Sequence, residues 1–125
     1  MIASRKRSKL KDKSAAFRVR IRIYANDRML GPGKMELLES IDATGSLAAA
    51  AKQMGMSYMR AWTLVQDLNR NPEQPMIEMS RGGAGGGTAT VTSFGKKVLG
   101  LYQAMDRAAT EAASVSGRKL ARLLE

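Results

Sequence analysis

Two short helical stretches that meet at a single glycine constrain this chain more than any other feature. Ser46 precedes Leu47-Ala48-Ala49-Ala50-Ala51-Lys52-Gln53-Met54, Gly55 interrupts, and Ser57 precedes a second stretch from about Tyr58 to Asn69, which Asn71-Pro72 closes. A serine hydroxyl caps a helix by accepting from an otherwise unpaired N–H of its first turn, so Ser46 and Ser57 predict two helix starts. Gly55 can adopt the positive φ that turns the chain sharply. Ala51 is small enough to let the two helices approach, and Ala61 with Leu64, Val65 and Leu68 gives the second helix a buried stripe. Tyr58, Met59, Arg60, Thr63, Gln66 and Asp67 fall largely off that stripe. The arrangement predicts a helix-turn-helix, although alanine-rich helices with a glycine turn also occur in ordinary helical bundles.

The flanking segments supply the rest of a fold. Phe17-Arg18-Val19-Arg20-Ile21-Arg22-Ile23-Tyr24 alternates strictly, with Phe17, Val19, Ile21 and Ile23 on one face, which predicts a half-buried strand. Asn26-Asp27 and Gly31-Pro32-Gly33 are turns. Pro32 can open a helix whose apolar stripe is Met35, Leu37, Leu38 and Ile41 and whose stop is Gly45. After the helix-turn-helix, Met76–Met79 and Thr88–Val91 are strand-like and enclose the glycine run Gly82–Gly87. A long helix from about Ser93 carries Val98, Leu101, Tyr102, Met105, Ala108, Ala109 and Ala112 at helical spacing, and Gly117 is the expected break. The predicted fold is mainly α (α+β), a winged helix-turn-helix: N-terminal strand, three-helix core, two-stranded wing and long C-terminal dimerisation helix. Residues 1–16 form a basic arm, 17–116 the DNA-binding domain and 117–125 a short helix or tail.

Composition enters through what it excludes. The chain has neither His nor Cys, so the usual nitrogen and sulfur zinc site and the Ser-His and Cys-His nucleophile pairs cannot be built. No catalytic residue, metal or cofactor is expected, and the chain does not read as an enzyme. No apolar run approaches the roughly 18–20 residues of a membrane span, and no apolar stretch follows the basic start as a secretory signal requires. A cytoplasmic, nucleoid-associated protein without membrane partners is the expectation.

The net charge of +10 is unevenly placed. Arg5, Lys6, Arg7, Lys9, Lys11, Lys13, Arg18, Arg20 and Arg22 face Asp12 alone within the first 22 residues. Such an arm can neutralise phosphates and release counterions; it can equally be a solubilising tail, and basic stretches also bind anionic membranes. If the partner is double-stranded DNA, the second helix is the recognition element. Ser46, Ser57, Tyr58, Met59, Arg60, Thr63 and Gln66 are then its candidate contacts, with Arg60 able to bond a guanine edge and Thr63 or Gln66 a base or phosphate. Trp62 sits between the two faces, as core, interface or base contact. Arg81 and Gly82, Gly83, Gly85 and Gly86 form the wing contact, and Arg5, Lys6, Arg7 and Lys9 the arm contact. The glycine run fails as a nucleotide-binding loop, because Thr88 stands where that motif requires Lys.

Leu37–Ala51, then Gly55-Met56-Ser57-Tyr58-Met59-Arg60-Ala61-Trp62, Ser80–Gly87 and Thr92-Ser93-Phe94-Gly95 together resemble the N-terminal domain of ModE, the molybdate-responsive regulators. The helix-turn-helix is also similar, more loosely, to that of LysR-type regulators. The resemblance runs from about Leu37 to Tyr102. It implies a sequence-specific transcriptional regulator acting as a homodimer on a palindromic operator, paired through the N-terminal strand and the long C-terminal helix. DNA contacts would lie on Ser57–Gln66 and near Arg81. ModE regulators carry a C-terminal oxyanion-binding module, and this chain ends at Glu125, so molybdate or another oxyanion is not expected as a partner. The alternatives are an architectural DNA-binding protein with little sequence preference, an RNA-binding protein, and a protein-interaction module whose arm takes an acidic partner.

Overall fold

The computed structural model describes residues 16–81 and 87–125. Among them are five helices and two small antiparallel sheets, an α+β arrangement: β1 (Ile23–Ala25), β2 (Arg28–Leu30), α1 (Pro32–Thr44), α2 (Leu47–Gln53), α3 (Tyr58–Leu68), β3 (Ile77–Ser80), β4 (Thr88–Val91), α4 (Ser93–Ala112) and α5 (Ser114–Leu123).

The local signals at the helix ends act as expected. Pro32 opens α1, and Gly45 ends it in the left-handed region at φ 73°, its N–H reaching the Ile41 carbonyl. The Ser46 hydroxyl accepts from Ala49 N–H and the Ser57 hydroxyl from Arg60 N–H, both at 3.1 Å. Each such cap stabilises its helix by about 1 kcal/mol. Gly55, at φ 68°, makes the turn between α2 and α3.

The core forms around α1, whose Met35, Leu37, Leu38 and Ile41 are fully buried. Ala50 and Ala51 of α2, Ala61, Val65 and Leu68 of α3, Ile77, Ala89 and Val91 of the second sheet, and Leu99 and Tyr102 of α4 complete it. Leu64 of the expected α3 stripe is only half-buried against this cluster. Burial on α1 extends beyond the apolar stripe: Glu36 and Glu39 are 7% and 5% exposed. Buried carboxylates require partners. Arg20 lies 3.0 Å from Glu36, and Gln103 donates to Glu39 at 2.9 Å.

Two expectations need correction. The strand expected over Phe17–Tyr24 exists only from Ile23 onward. Its partner is β2, with Ile23 opposite Leu30 and Ala25 opposite Arg28, across a turn in which Asn26 takes φ 58°. Residues 17–22 alternate half-buried and exposed as a strand would, but among the described residues no strand pairs with them. Their apolar face rests on helices instead: the Tyr102 hydroxyl donates to the Ile21 carbonyl at 2.9 Å, and the Phe17 ring lies against Gly117. Gly117, expected to break the long helix, sits inside α5; the break falls at Ala113. A side chain at 117 would meet the Phe17 ring at 2.6 Å, so glycine here serves packing rather than helix termination.

Candidate nucleic-acid interface

Small residues set the approach of α2 to α3. Ala51 and Ala61 are 3% and 0% exposed, and the Met56 N–H reaches the Ala51 carbonyl at 3.0 Å, closing the turn. With Ala61, Val65 and Leu68 buried, the opposite side of α3 is left open. It carries Tyr58 (49% exposed), Met59 (66%) and Trp62 (41%), with Arg60, Thr63 and Gln66 also exposed. Trp62 is therefore outside the core. The Thr63 hydroxyl donates to the Met59 carbonyl at 3.0 Å, which uses its proton and leaves the oxygen lone pairs and the methyl group outward.

β3 and β4 pair in register from Ile77–Val91 to Ser80–Thr88, and the Ser80 and Thr88 hydroxyls meet at 2.6 Å at the open end. Arg81 follows directly and is exposed. Among the described residues, neither Arg60 nor Arg81 is in an ion pair. β4 is tied back to the end of α1 by Ala89 N–H, which donates to the Gly45 carbonyl at 2.9 Å. The structure thus places Ser46 at the cap that opens α2, Ser57 at the cap that opens α3, and Tyr58, Met59, Arg60, Thr63 and Gln66 on α3. Gly82, Gly83, Gly85 and Gly86, and the arm residues Arg5, Lys6, Arg7 and Lys9, lie outside the described residues.

Sequence reasoning missed the groups that hold α3 in place. Asn69, just past its last turn, bonds the backbone of Met76 and Ile77. Arg28 of β2 donates to the Asp67 and Leu68 carbonyls at 3.1 and 3.4 Å, a cation on the negative end of the helix. Lys34 of α1 reaches the Asp67 carboxylate at 2.6 Å and holds its pKa below the ordinary carboxylate value. Asp67 is thereby half-buried and engaged within the fold. No periodicity marks Arg28 or Lys34; a cation facing a helix end 33 or more residues away leaves no local trace.

The apolar positions of α4 divide. Tyr102 is buried at 1% exposure, and burial together with Asp106 pushes its hydroxyl pKa up to about 12. Leu101 and Met105 stand 67% and 40% exposed, with Ala108 and Ala112 on the same side. Among the described residues no cluster of potential metal-ligating side chains occurs, and no helix is long and apolar enough to cross a membrane.

No family model matches this chain. It is homologous over more than half its length to proteins named as transcriptional regulators and molybdenum-binding proteins. It is 39% identical over 71 residues to the transcriptional regulator ModE of Yersinia pestis, covering 57% of this chain and 27% of that one. With the DNA-binding transcriptional dual regulator ModE of Escherichia coli K12 the identity is 37% over 71 residues, with the same shares. With the molybdenum-pterin-binding protein MopA of Rhodobacter capsulatus it is 38% over 86 residues, covering 69% of this chain and 32% of the relative. The chain spans about a third or less of the length of these relatives. The exclusion of molybdate and other oxyanions as partners is corrected here: it rested on where the sequence ends, and a homologue named for binding a molybdenum compound overturns it.

Proposed function

We propose that this chain is a sequence-specific DNA-binding transcriptional regulator that acts as a homodimer through a winged helix-turn-helix. In this reading α2 and α3 are the helix-turn-helix, α3 enters the major groove, and the β3–β4 hairpin is the wing. Residues 17–116 are the DNA-binding domain, 1–16 a phosphate-binding arm, and 117–125 the tail. The observation that carries the reading is the open face of α3, with Tyr58, Met59, Arg60, Thr63 and Gln66 exposed on a helix whose other face is locked into the core. Exposed Arg81 extends it from the adjacent hairpin. Side chains on such a helix reach base edges, while Arg81, Ser46, Ser57 and the wing glycines Gly82, Gly83, Gly85 and Gly86 suit backbone phosphates. Exposed Leu101, Met105, Ala108 and Ala112 on α4 support pairing with a second copy, which would set two recognition helices about one DNA turn apart. Similarity to proteins named for molybdenum makes molybdate the first effector to test on this chain.

A binding selection from random duplex DNA at low and moderate salt tests the proposal. A palindromic motif that survives moderate salt is the expected result. Binding that enriches nothing and vanishes as salt rises would overturn sequence-specific regulation and favour an architectural role.

A further inference from the structure

A cavity of about 500 Å³ lies between the extended segment Phe17–Arg20, the first turns of α1, and the facing sides of α4 and α5. It involves neither the exposed face of α3 nor the β3–β4 hairpin, although its walls are the N-terminal segment and α4, the elements through which the resemblance implies pairing. Its volume is within the roughly 300–1,000 Å³ typical of small-molecule sites. Phe17, Val19, Pro32 and Tyr102 give it an apolar lining. Two of these are fixed by the fold, Tyr102 through its bond to the Ile21 carbonyl and Phe17 by its seat on Gly117.

The charged groups around this lining are not balanced. Arg20 lies beside buried Glu36 at 3.0 Å and offsets it. Arg18, Arg107 and Arg118 also line the cavity, and among the described residues none of the three is in an ion pair. Opposing these three arginines are only two carboxylates, Glu111 and Asp106, so the lining keeps a positive excess. Guanidinium groups offer paired N–H donors whose spacing matches a carboxylate, and aromatic rings beside them suit a flat apolar body. A bare tetrahedral oxyanion would leave the apolar lining uncovered, and a cation would meet the surplus of arginines.

We propose that this cavity is a binding site for a small organic carboxylate with a flat apolar body, its carboxylate held by Arg107 and Arg118 and its body lying against Phe17 and Val19. Phe17–Arg20 forms one wall and the α4–α5 junction the other, so a bound ligand bridges the N-terminal segment and the C-terminal helix.

The test is an NMR titration of the full chain, without DNA, using sodium benzoate, benzamide, benzylamine and sodium molybdate as separate probes. Saturable benzoate binding is expected, with amide shifts confined to residues 17–20, 102–111 and 114–118. Benzamide and benzylamine should bind at least about tenfold more weakly, a difference of about 1.4 kcal/mol. Arg107→Gln and Arg118→Gln should each weaken benzoate by a similar factor. Arg122→Gln, on the same helix but outside the cavity, should leave it unchanged. The amide spectrum reports whether each variant folds, and either arginine variant alone suffices for the comparison. Equal binding of benzoate and benzamide, effective competition by molybdate, indifference to both arginine variants, or no saturable shift would each overturn the proposal. A loss of benzoate affinity as protein concentration rises would do the same, because it would assign the cavity to a second copy of the chain.

Discussion

The side-chain amide of Asn69 holds Ile77 by both of its backbone groups, accepting from its N–H at 3.0 Å and donating to its carbonyl at 2.8 Å. The same oxygen also accepts from the Met76 N–H at 2.8 Å. One side chain therefore joins the end of α3 to the start of β3 and fixes the angle between the exposed helix face and the hairpin that carries Arg81.

Removing that amide should be costly. Asn69→Ala strands two N–H groups and a carbonyl on Met76 and Ile77, which are 3% and 2% exposed. Unsatisfied buried groups cost about 1–3 kcal/mol each before relaxation, so a loss of about 3 kcal/mol is expected in urea unfolding. Asn69→Asp keeps the acceptor but not the donor and should restore part of the loss.

Gly95 and Gly100 occupy the same helix and should respond oppositely to alanine. A Cβ at 95 would collide with the Met76 carbonyl oxygen and crowd Val91, whereas one at 100 meets nothing within 4 Å. Gly95→Ala should destabilise by at least about 1–3 kcal/mol, as overpacking does. Gly100→Ala should stabilise by about 0.5–1 kcal/mol through helix propensity. Thermal unfolding of the two variants side by side checks both signs.

Acid should weaken the grip on α3. The Lys34 hydrogen bond lowers the Asp67 pKa below its ordinary value of 3.8. The folded state thus binds the proton less tightly than the unfolded chain. The contribution is complete above the unfolded value and is lost as pH falls through the folded one. Lys34→Met should reduce stability at neutral pH and flatten the acid limb of the stability profile. Asp106 has the opposite sign: burial raises its pKa, so its contribution improves as pH falls. Asp106→Asn should make the protein more stable at neutral pH, measured by urea midpoints across the pH range.

On a selected operator, Arg60→Ala should cost about 1–3 kcal/mol and relax preference at one base position. Arg81→Ala should weaken all duplexes alike and lower the salt slope by about one phosphate contact. Removing residues 1–15 should flatten the salt dependence further; an unchanged slope would remove the arm from the interface.

The exposed stripe of α4 gives a separate prediction about assembly. Leu101→Glu with Met105→Glu replaces side chains already 67% and 40% exposed, so folding should be preserved while association is lost. Sedimentation at several concentrations reads this directly; identical behaviour of both proteins would exclude this stripe as the pairing surface.

What the sequence determined by itself is what neighbouring residues decide among themselves. Ser46 and Ser57 cap because their hydroxyls need only reach an N–H three residues on. Gly45 and Gly55 turn the chain because only φ is at issue. The α3 face was legible from the spacing of Ala61, Val65 and Leu68. The alternation of residues 17–23 correctly separated the half-buried face from the exposed one. Tertiary structure decided what that face would meet. Periodicity says that Phe17 and Ile21 are covered, but whether a strand or a helix covers them depends on α4 and α5, some 80 or more residues later. The same applies to Glu36 and Glu39, whose charge gives no sign of burial until Arg20 and Gln103 are brought alongside. It applies equally to Arg28, Lys34 and Asn69, which position the candidate interface through contacts that exist only once the chain has closed on itself.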